Sequence, residues 1–414
     1  MDYINRLAEK SVEDSLGFAK AVVIEGPKAC GKTSTSMQLA NSSIRLDEST
    51  ALRRQVEANP EVVLSGKKPH LVDEWQLVPD TWNVIRAEVD RNNEFGQYIL
   101  SGSATPTDDE TRHSGAGRFA RVKMFPMTSS ETGFGTKSIS LKSLWEGEKI
   151  PSVDFYNNTE RDVAEQICRG GWPINLNLST EQCIMMNKNY IRSVCSADII
   201  TVDGVKRDPS KVEALVYSLS RNDASYVSDK TLQSDTKNYG ESINPKTLKS
   251  YLDALKRIWI YHEQKEWSPS IRSSSTIRKS PKRHLVDPSL AVASLEIGID
   301  DILKDRNTFG ILFESLAWRD VSVYAQNSGI ELRAYHDSDE AEIDIVLKKA
   351  MKWAAIEVKL SSKPDNINFY VTGLQNAVNK IETEPEFMAV LVATGPSYTR
   401  EDGVHIINLF DLTA

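Results

Sequence analysis

The chain has 414 residues, 40% hydrophobic and 26% charged, an ordinary composition for a soluble globular protein with room for two to four domains. A formal net charge of −8 argues against a wholesale nucleic-acid coat and leaves only a local basic patch open. No apolar run approaches the roughly 18–20 residues needed to cross a bilayer, so no membrane association is expected. The start, Met1-Asp2-Tyr3-Ile4-Asn5-Arg6, lacks the basic opening and apolar centre of a signal peptide. Cys30, Cys168, Cys183 and Cys195 form no C-x-x-C pair and have no histidine at zinc spacing. A cytoplasmic protein with reduced thiols is the expectation.

The first chemical signal lies at residues 21–40. Ala21 to Ile24 reads as a buried strand, broken at Gly26, and Gly31-Lys32-Thr33 leads into a helical stretch. Gly26, Pro27, Lys28, Ala29, Cys30, Gly31, Lys32 and Thr33, with Ser34 following, make a complete Gly-x-x-x-x-Gly-Lys-Thr phosphate loop in strand–loop–helix context. The glycines let successive N–H groups point inward at phosphates, and the helix adds the positive end of its dipole. Lys32 is placed to reach the β- and γ-phosphates and Thr33 to ligate Mg²⁺, so ATP and Mg²⁺ are the expected cofactors.

Ile44 to Asp47 reads as a second short strand, followed by a polar helix through Arg53, Arg54 and Val56. His70-Leu71-Val72-Asp73-Glu74 is a short strand ending in two carboxylates, the Walker-B arrangement expected downstream of a phosphate loop. Asp73 is then expected to hold Mg²⁺ through water, and Glu74 to polarise the attacking water. A further parallel strand, Gly96 to Ser103, ends in hydroxyls, and Ser101 or Ser103 stands either as a γ-phosphate sensor or as a strand cap. After a polar loop, Phe119 to Met124 alternates like a strand. Arg112, Arg118 and Arg121 are candidates for an arginine finger, in cis or from a neighbouring copy, or else ordinary surface arginines.

The runs Gly26–Thr33, Val72–Gln76, Leu100–Ala104 and Arg112–Arg118 resemble, in order, the prokaryotic AAA-type ATPases with a C-terminal domain of unknown function, the AAA_14/DUF4143 family. The resemblance covers essentially the whole chain. It implies an α/β protein with an N-terminal P-loop AAA-like parallel-sheet domain, a helical and winged-helix middle, and a C-terminal nuclease-like α/β domain. The corresponding boundaries are 1–145, 146–205, 206–290 and 291–414.

In the middle, Asp154 to Gly170 reads as a helix stopped by Gly170-Gly171-Trp172-Pro173, a structural rather than catalytic motif that recurs in the resembled family. Residues 182–200 form a second helical run. Asp208-Pro209 is an N-cap followed by proline at the first helical position, opening a helix through Val212, Leu215, Val216 and Leu219. Helices around 228–236 and 245–255 follow. Ile258 to Tyr261, with a return at Trp267, resembles the hairpin of a winged helix. Lys246, Lys249 and Lys256 are candidate DNA contacts, unless the module binds a protein partner. The basic stretch 271–284, with Arg272, Arg278, Lys279, Lys282 and Arg283, is either a phosphate-binding wing or a solvated loop paired with the acidic remainder.

At the C-terminus, a helix bearing Glu314 precedes strands bearing Asp344 and then Glu357-Val358-Lys359. This order resembles the PD-(D/E)xK nuclease superfamily. Asp344 and Glu357 are the expected ligands of a second metal, with Glu314 from the packed helix and Lys359 orienting a water. A strand at Met388 to Ala393 is expected to complete a small mixed sheet. The expected activity is ATP hydrolysis coupled to this nuclease-like module. The alternative is a nucleotide-binding scaffold with an inert nuclease-like domain. Oligomerisation is open.

Overall fold

The computed structural model describes residues 3–103, 115–150, 157–201, 204–269, 280–337 and 341–414, which fall into two compact units. Among them, no helix is long and apolar enough to cross a membrane.

The first unit is drawn from Met1–Pro126, Ala197–Arg207 and Leu252–Ile260. Its elements run α1 (Leu7–Leu16), β1 (Ala21–Glu25), α2 (Lys32–Leu39), β2 (Ser42–Arg45), α3 (Thr50–Ala58), β3 (His70–Asp73), α4 (Asp80–Arg91), β4 (Tyr98–Gly102) and β5 (Phe119–Lys123). The strands form one parallel five-stranded sheet in the order β2-β3-β4-β1-β5. β1, β3 and β4 are buried along their whole length, which explains their continuous rather than alternating apolar sequence. In α4, Trp82, Ile85 and Val89 recur at helical spacing and seat one face against the sheet, with Trp82 5.0 Å from Trp75 and 4.5 Å from Phe119. Because all five strands run the same way, the loop after β1 and the last residues of β3 and β4 collect at one edge. That edge is where open parallel sheets place their ligands.

The second unit is drawn from Met127–Ser196, Asp208–Tyr251 and Tyr261–Ala414. Its first long helices are α5 (Glu160–Arg169) and α6 (Thr180–Ser193), the latter followed by a single π-helical turn, Val194–Asp198. Gly171 follows α5 and donates its N–H to Asp287 at 2.9 Å, while its carbonyl accepts from Met127 at 2.6 Å. Arg319, fully buried, bridges Asp287 and Asp320 at 2.7 Å each. The Gly-Gly-Trp-Pro run is thus wired into a buried polar network. Three helices come next in the chain, α7 (Pro209–Arg221), α8 (Asp229–Asn238) and α9 (Pro245–Arg257), the last counted with the first unit from Leu252 onward. The Asp208 carboxylate caps α7 by accepting from Ser210 N–H at 3.1 Å. Lys246, Lys249 and Lys256 are exposed on α9.

The strand pair after α9 differs from the expectation. β6 (Tyr261–Gln264) pairs antiparallel with β7 (Lys282–Leu285), so the return strand is not at Trp267. Trp267 instead packs with its ring centroid 4.7 Å from that of Trp353, tilted, in the C-terminal core. β7 overlaps the end of the stretch 271–284, expected to be a phosphate-binding wing or a solvated loop, yet all four of its residues are buried. Arg272, Arg278 and Lys279 lie outside the described residues.

After α10 (Pro288–Leu295) and the long α11 (Arg306–Asn327) come β8 (Glu331–His336), β9 (Glu342–Lys349), β10 (Lys352–Lys359), α12 (Pro364–Val378), β11 (Met388–Val392), β12 (Tyr398–Thr399) and β13 (His405–Asn408). They build a mixed six-stranded sheet in the order β12-β13-β11-β10-β9-β8. α12 lays Ile367, Val371, Leu374 and Val378 on Ile343, Trp353, Ala355 and Val390. Each such aliphatic side chain contributes roughly 1.5–3 kcal/mol of burial. β9 and β10 form a hairpin with Ile345 opposite Ile356, which brings Asp344 and Glu357 to the same end of the sheet.

Candidate functional site

The phosphate loop spans Gly26 to Gly31, between β1 and α2. Gly26 tolerates no side chain, because a Cβ there would lie 2.1 Å from the Met124 carbonyl oxygen. Gly31 caps α2 at φ 103°, in the left-handed region that glycine favours. Pro27 and Cys30 are buried, while Lys28, Ala29 and Ser34 are exposed. Lys28 forms an ion pair with Asp198. The Lys32 ammonium donates to the Gly26 and Pro27 carbonyls at 3.0 and 2.8 Å, so it lies folded over the loop whose phosphates it is expected to meet.

Asp73 ends β3, 1% exposed, and gathers three neighbours. The Thr33 hydroxyl lies 3.1 and 2.9 Å from its two oxygens, the Ser101 hydroxyl donates to it, and Arg45 Nε is 3.6 Å away. Thr33 and Asp73 supply the hard oxygen atoms that Mg²⁺ prefers, and they face each other across the loop. Glu74 follows in a left-handed conformation, φ 53°. Gln76 donates to its carboxylate, and the Ser103 hydroxyl does so at 3.2 Å. Glu74, Gln76 and Ser103 therefore form a second polar group beside the first.

Arg118 and Arg121 occupy different places. Arg118 precedes the first residue of β5, at the sheet edge away from the loop, and its guanidinium is held by Asp90 at 2.8 Å. Arg121 pairs with Glu25, the residue immediately before the loop, and lies 5.6 Å from the Trp82 ring. Arg112 lies outside the described residues.

Two arginines were not anticipated from the sequence. Arg6, buried, donates to the Cys30 carbonyl at 2.6 Å and to the Phe125 carbonyl at 2.9 Å, pinning the loop to the segment after β5. Arg45, in register with Asp73 across the β2–β3 pair, approaches its carboxylate. A charged residue at the end of the neighbouring parallel strand is the signal that could have located Arg45. Nothing local marks Arg6.

In the second unit, the expected second metal centre has a different composition. Glu314 on α11, Glu342 and Asp344 on β9, and Glu357 on β10 converge as expected of that strand order, but Lys282 of β7 enters among them. Its ammonium is 2.9 Å from Glu342 and 2.9 Å from Asp344, and is also paired with Glu314. Lys359 lies 2.7 Å from Glu357 and 3.5 Å from Asp344. The Asp344 oxygen that faces Lys359 also accepts from Val358 N–H at 2.9 Å, while Lys282 meets the other oxygen.

Burial pushes Asp344 upward, but Lys282, Lys359 and the Val358 N–H outweigh it and hold the carboxyl well below the usual range. Burial, reinforced by the Asp344 charge, pushes Glu314 up to about 8 and Glu357 up to about 7. Lys282 stays charged, because the surrounding carboxylates outweigh its own desolvation. Among the described residues, no group of three or more His, Cys, Asp or Glu side chains is arranged to hold a metal ion. With Lys282 in place, Asp344 and Glu357 do not fit the metal-ligand role expected of them.

Residues 19–133 match the model of an AAA domain, residues 160–301 a domain of unknown function, DUF8612, and residues 309–412 a domain of unknown function, DUF4143. Uncharacterized proteins of Mycobacterium bovis and Mycobacterium tuberculosis are each 25% identical over 371 residues, covering 87% of this chain and 74% of their own length. Among solved structures, a Walker-type ATPase of Pyrococcus abyssi is 14% identical, with a TM-score of 0.43, over 71% of this chain and 96% of its own. A signal-transduction ATPase of Pyrococcus horikoshii with a tetratricopeptide repeat sensor is 12% identical, with a TM-score of 0.20, over 79% and 50%. The AAA-domain match supports ATP binding and hydrolysis.

Proposed function

We infer that this chain, which joins an AAA-type ATPase domain to a C-terminal DUF4143 domain, is an Mg²⁺-dependent ATP hydrolase whose nucleotide state controls its C-terminal module. The observation that carries the reading is the Thr33 hydroxyl resting on the Asp73 carboxylate at the mouth of a complete phosphate loop. The loop N–H groups and the Lys32 ammonium bind the β- and γ-phosphates, with Lys32 exchanging two loop carbonyls for phosphate oxygens. Thr33 and Asp73 would hold Mg²⁺, which neutralises charge on the transferring phosphoryl group. Glu74 orients the attacking water, and Gln76 and Ser103 fix the carboxylate that does so. Of Arg118 and Arg121, Arg121 is the nearer to the loop, beside the residue that precedes it, and would meet transition-state charge.

Phosphate release from Mg-ATP by the full chain tests this. Turnover should vanish with EDTA and fall at least tenfold in Asp73→Asn, and turnover indifferent to both would reject the assignment. Control of the C-terminal module is read by hydrogen exchange of residues 309–412 with and without ATP. The alternative, a regulatory protein whose nuclease-like domain is inert, draws support from Lys282 among the C-terminal carboxylates.

A further inference from the structure

We propose that the Lys282 ammonium is the resident cation of the C-terminal carboxylate cluster, standing where a nuclease-like centre would carry a divalent metal, so that the cluster accepts a metal ion only once that ammonium is removed. This exclusion of metal is separate from ATP hydrolysis and does not depend on it.

Three features carry it. The first is position. The Lys282 side chain is 1% exposed and touches carboxylates from two different elements, Glu314 of α11 and Glu342 and Asp344 of β9. A buried ammonium persists only when paired in this way, and these are the oxygens a metal would need.

The second is charge. Lys282 and Lys359 already place two positive charges among the carboxyl groups of Glu314, Glu342, Asp344 and Glu357. A divalent ion set within ~3–4 Å of the Lys282 ammonium would meet strong like-charge repulsion in a poorly solvated site.

The third is rigidity. β7 cannot readily draw Lys282 away, because neighbouring His284 is stacked 4.2 Å from Trp318 and bonds Gln264 at 2.8 Å. Gln264 in turn donates to the Asp344 carbonyl at 2.8 Å. The lysine and the carboxylates it neutralises are therefore fastened to one frame. Small ions do have access, because Glu314 and Lys359 line an open cleft of about 700 Å³. Exclusion is thus assigned to the ammonium and not to a sealed site.

The test is Mn²⁺ binding to the full chain without nucleotide, followed by electron paramagnetic resonance, in an Asp73→Asn background that removes the ATP-site ligand. With Lys282 intact, adding Asp344→Asn should leave Mn²⁺ uptake unchanged. Lys282→Gln should gain one Mn²⁺ per chain, bound at least tenfold more tightly than any site with Lys282 intact, and adding Asp344→Asn should abolish the gain. Asp344-dependent Mn²⁺ binding with Lys282 intact overturns the proposal. So does a folded Lys282→Gln protein that gains no site. If Lys282→Gln fails to fold, Lys282→Met replaces it, and Glu357→Gln likewise replaces Asp344→Asn. The Lys282-intact comparison can refute the proposal without any Lys282 variant.

Discussion

Replacing Glu314 by glutamine should make the C-terminal unit more stable than the native chain at pH 8, and close to equal at pH 4.5. Burial raises the folded-state pKa of Glu314 from 4.5 to about 8. Between those values the folded chain keeps a proton that the unfolded chain releases. Stability is therefore present in full below pH 4.5 and falls as pH rises to about 8, by roughly 1.4 kcal/mol per pH unit. Over the whole window this amounts to about 5 kcal/mol. Between pH 6 and pH 8 alone it is roughly 2 kcal/mol, or some tens-fold in the opening equilibrium. Glu357, raised to about 7, adds roughly 1 kcal/mol over the same interval in both proteins. Glutamine keeps the acceptor that meets Lys282 and cannot ionise, so the variant retains only the Glu357 slope. The assay is peptide-resolved hydrogen exchange across Glu342–Lys349 and Lys352–Lys359 at both pH values, corrected for intrinsic exchange. A variant less protected than the native chain by the same factor at both pH values would refute the reasoning, because it would mean that Glu314 is ionised throughout.

Lys282→Ala should cost roughly 3–5 kcal/mol in urea unfolding of the C-terminal unit, since it strands buried carboxylates. An unchanged midpoint would show that the ion pairs do not stabilise the fold. Arg6→Ala removes two charge-assisted bonds that hold the phosphate loop, each worth roughly 1.5–3 kcal/mol. It should weaken fluorescent-ATP binding several-fold and lower the melting temperature, and normal affinity would separate Arg6 from loop order.

The phosphate loop and Asp73-Glu74 were legible because each motif is continuous in the chain, and a parallel strand ends where its apolar run ends. The convergence of Glu314, Asp344 and Glu357 was legible for a similar reason: helix, strand and strand follow one another closely. Lys282 was not. In sequence it belongs to a run of serines and bases and reads as solvated, and only Asp344, 62 residues onward, together with Glu314 and Glu342, makes its burial affordable. The same misreading displaced the return strand of the hairpin to Trp267, an aromatic that the distant Trp353 claims for another core. Arg6 and Arg45 likewise gain their meaning only from strand order, which brings the loop, the end of β3 and the segment after β5 together.

The central claim is that Glu74 orients the water that attacks ATP held by the loop. Steady-state phosphate release from Mg-ATP by the full chain, measured beside fluorescent-ATP binding in native, Lys32→Ala and Glu74→Gln proteins, tests it most directly. Glu74→Gln should bind ATP within a few-fold of the native protein and turn over ~10²–10³-fold more slowly, while Lys32→Ala should lose binding and turnover together. A Glu74→Gln protein that hydrolyses ATP at the native rate would contradict the account.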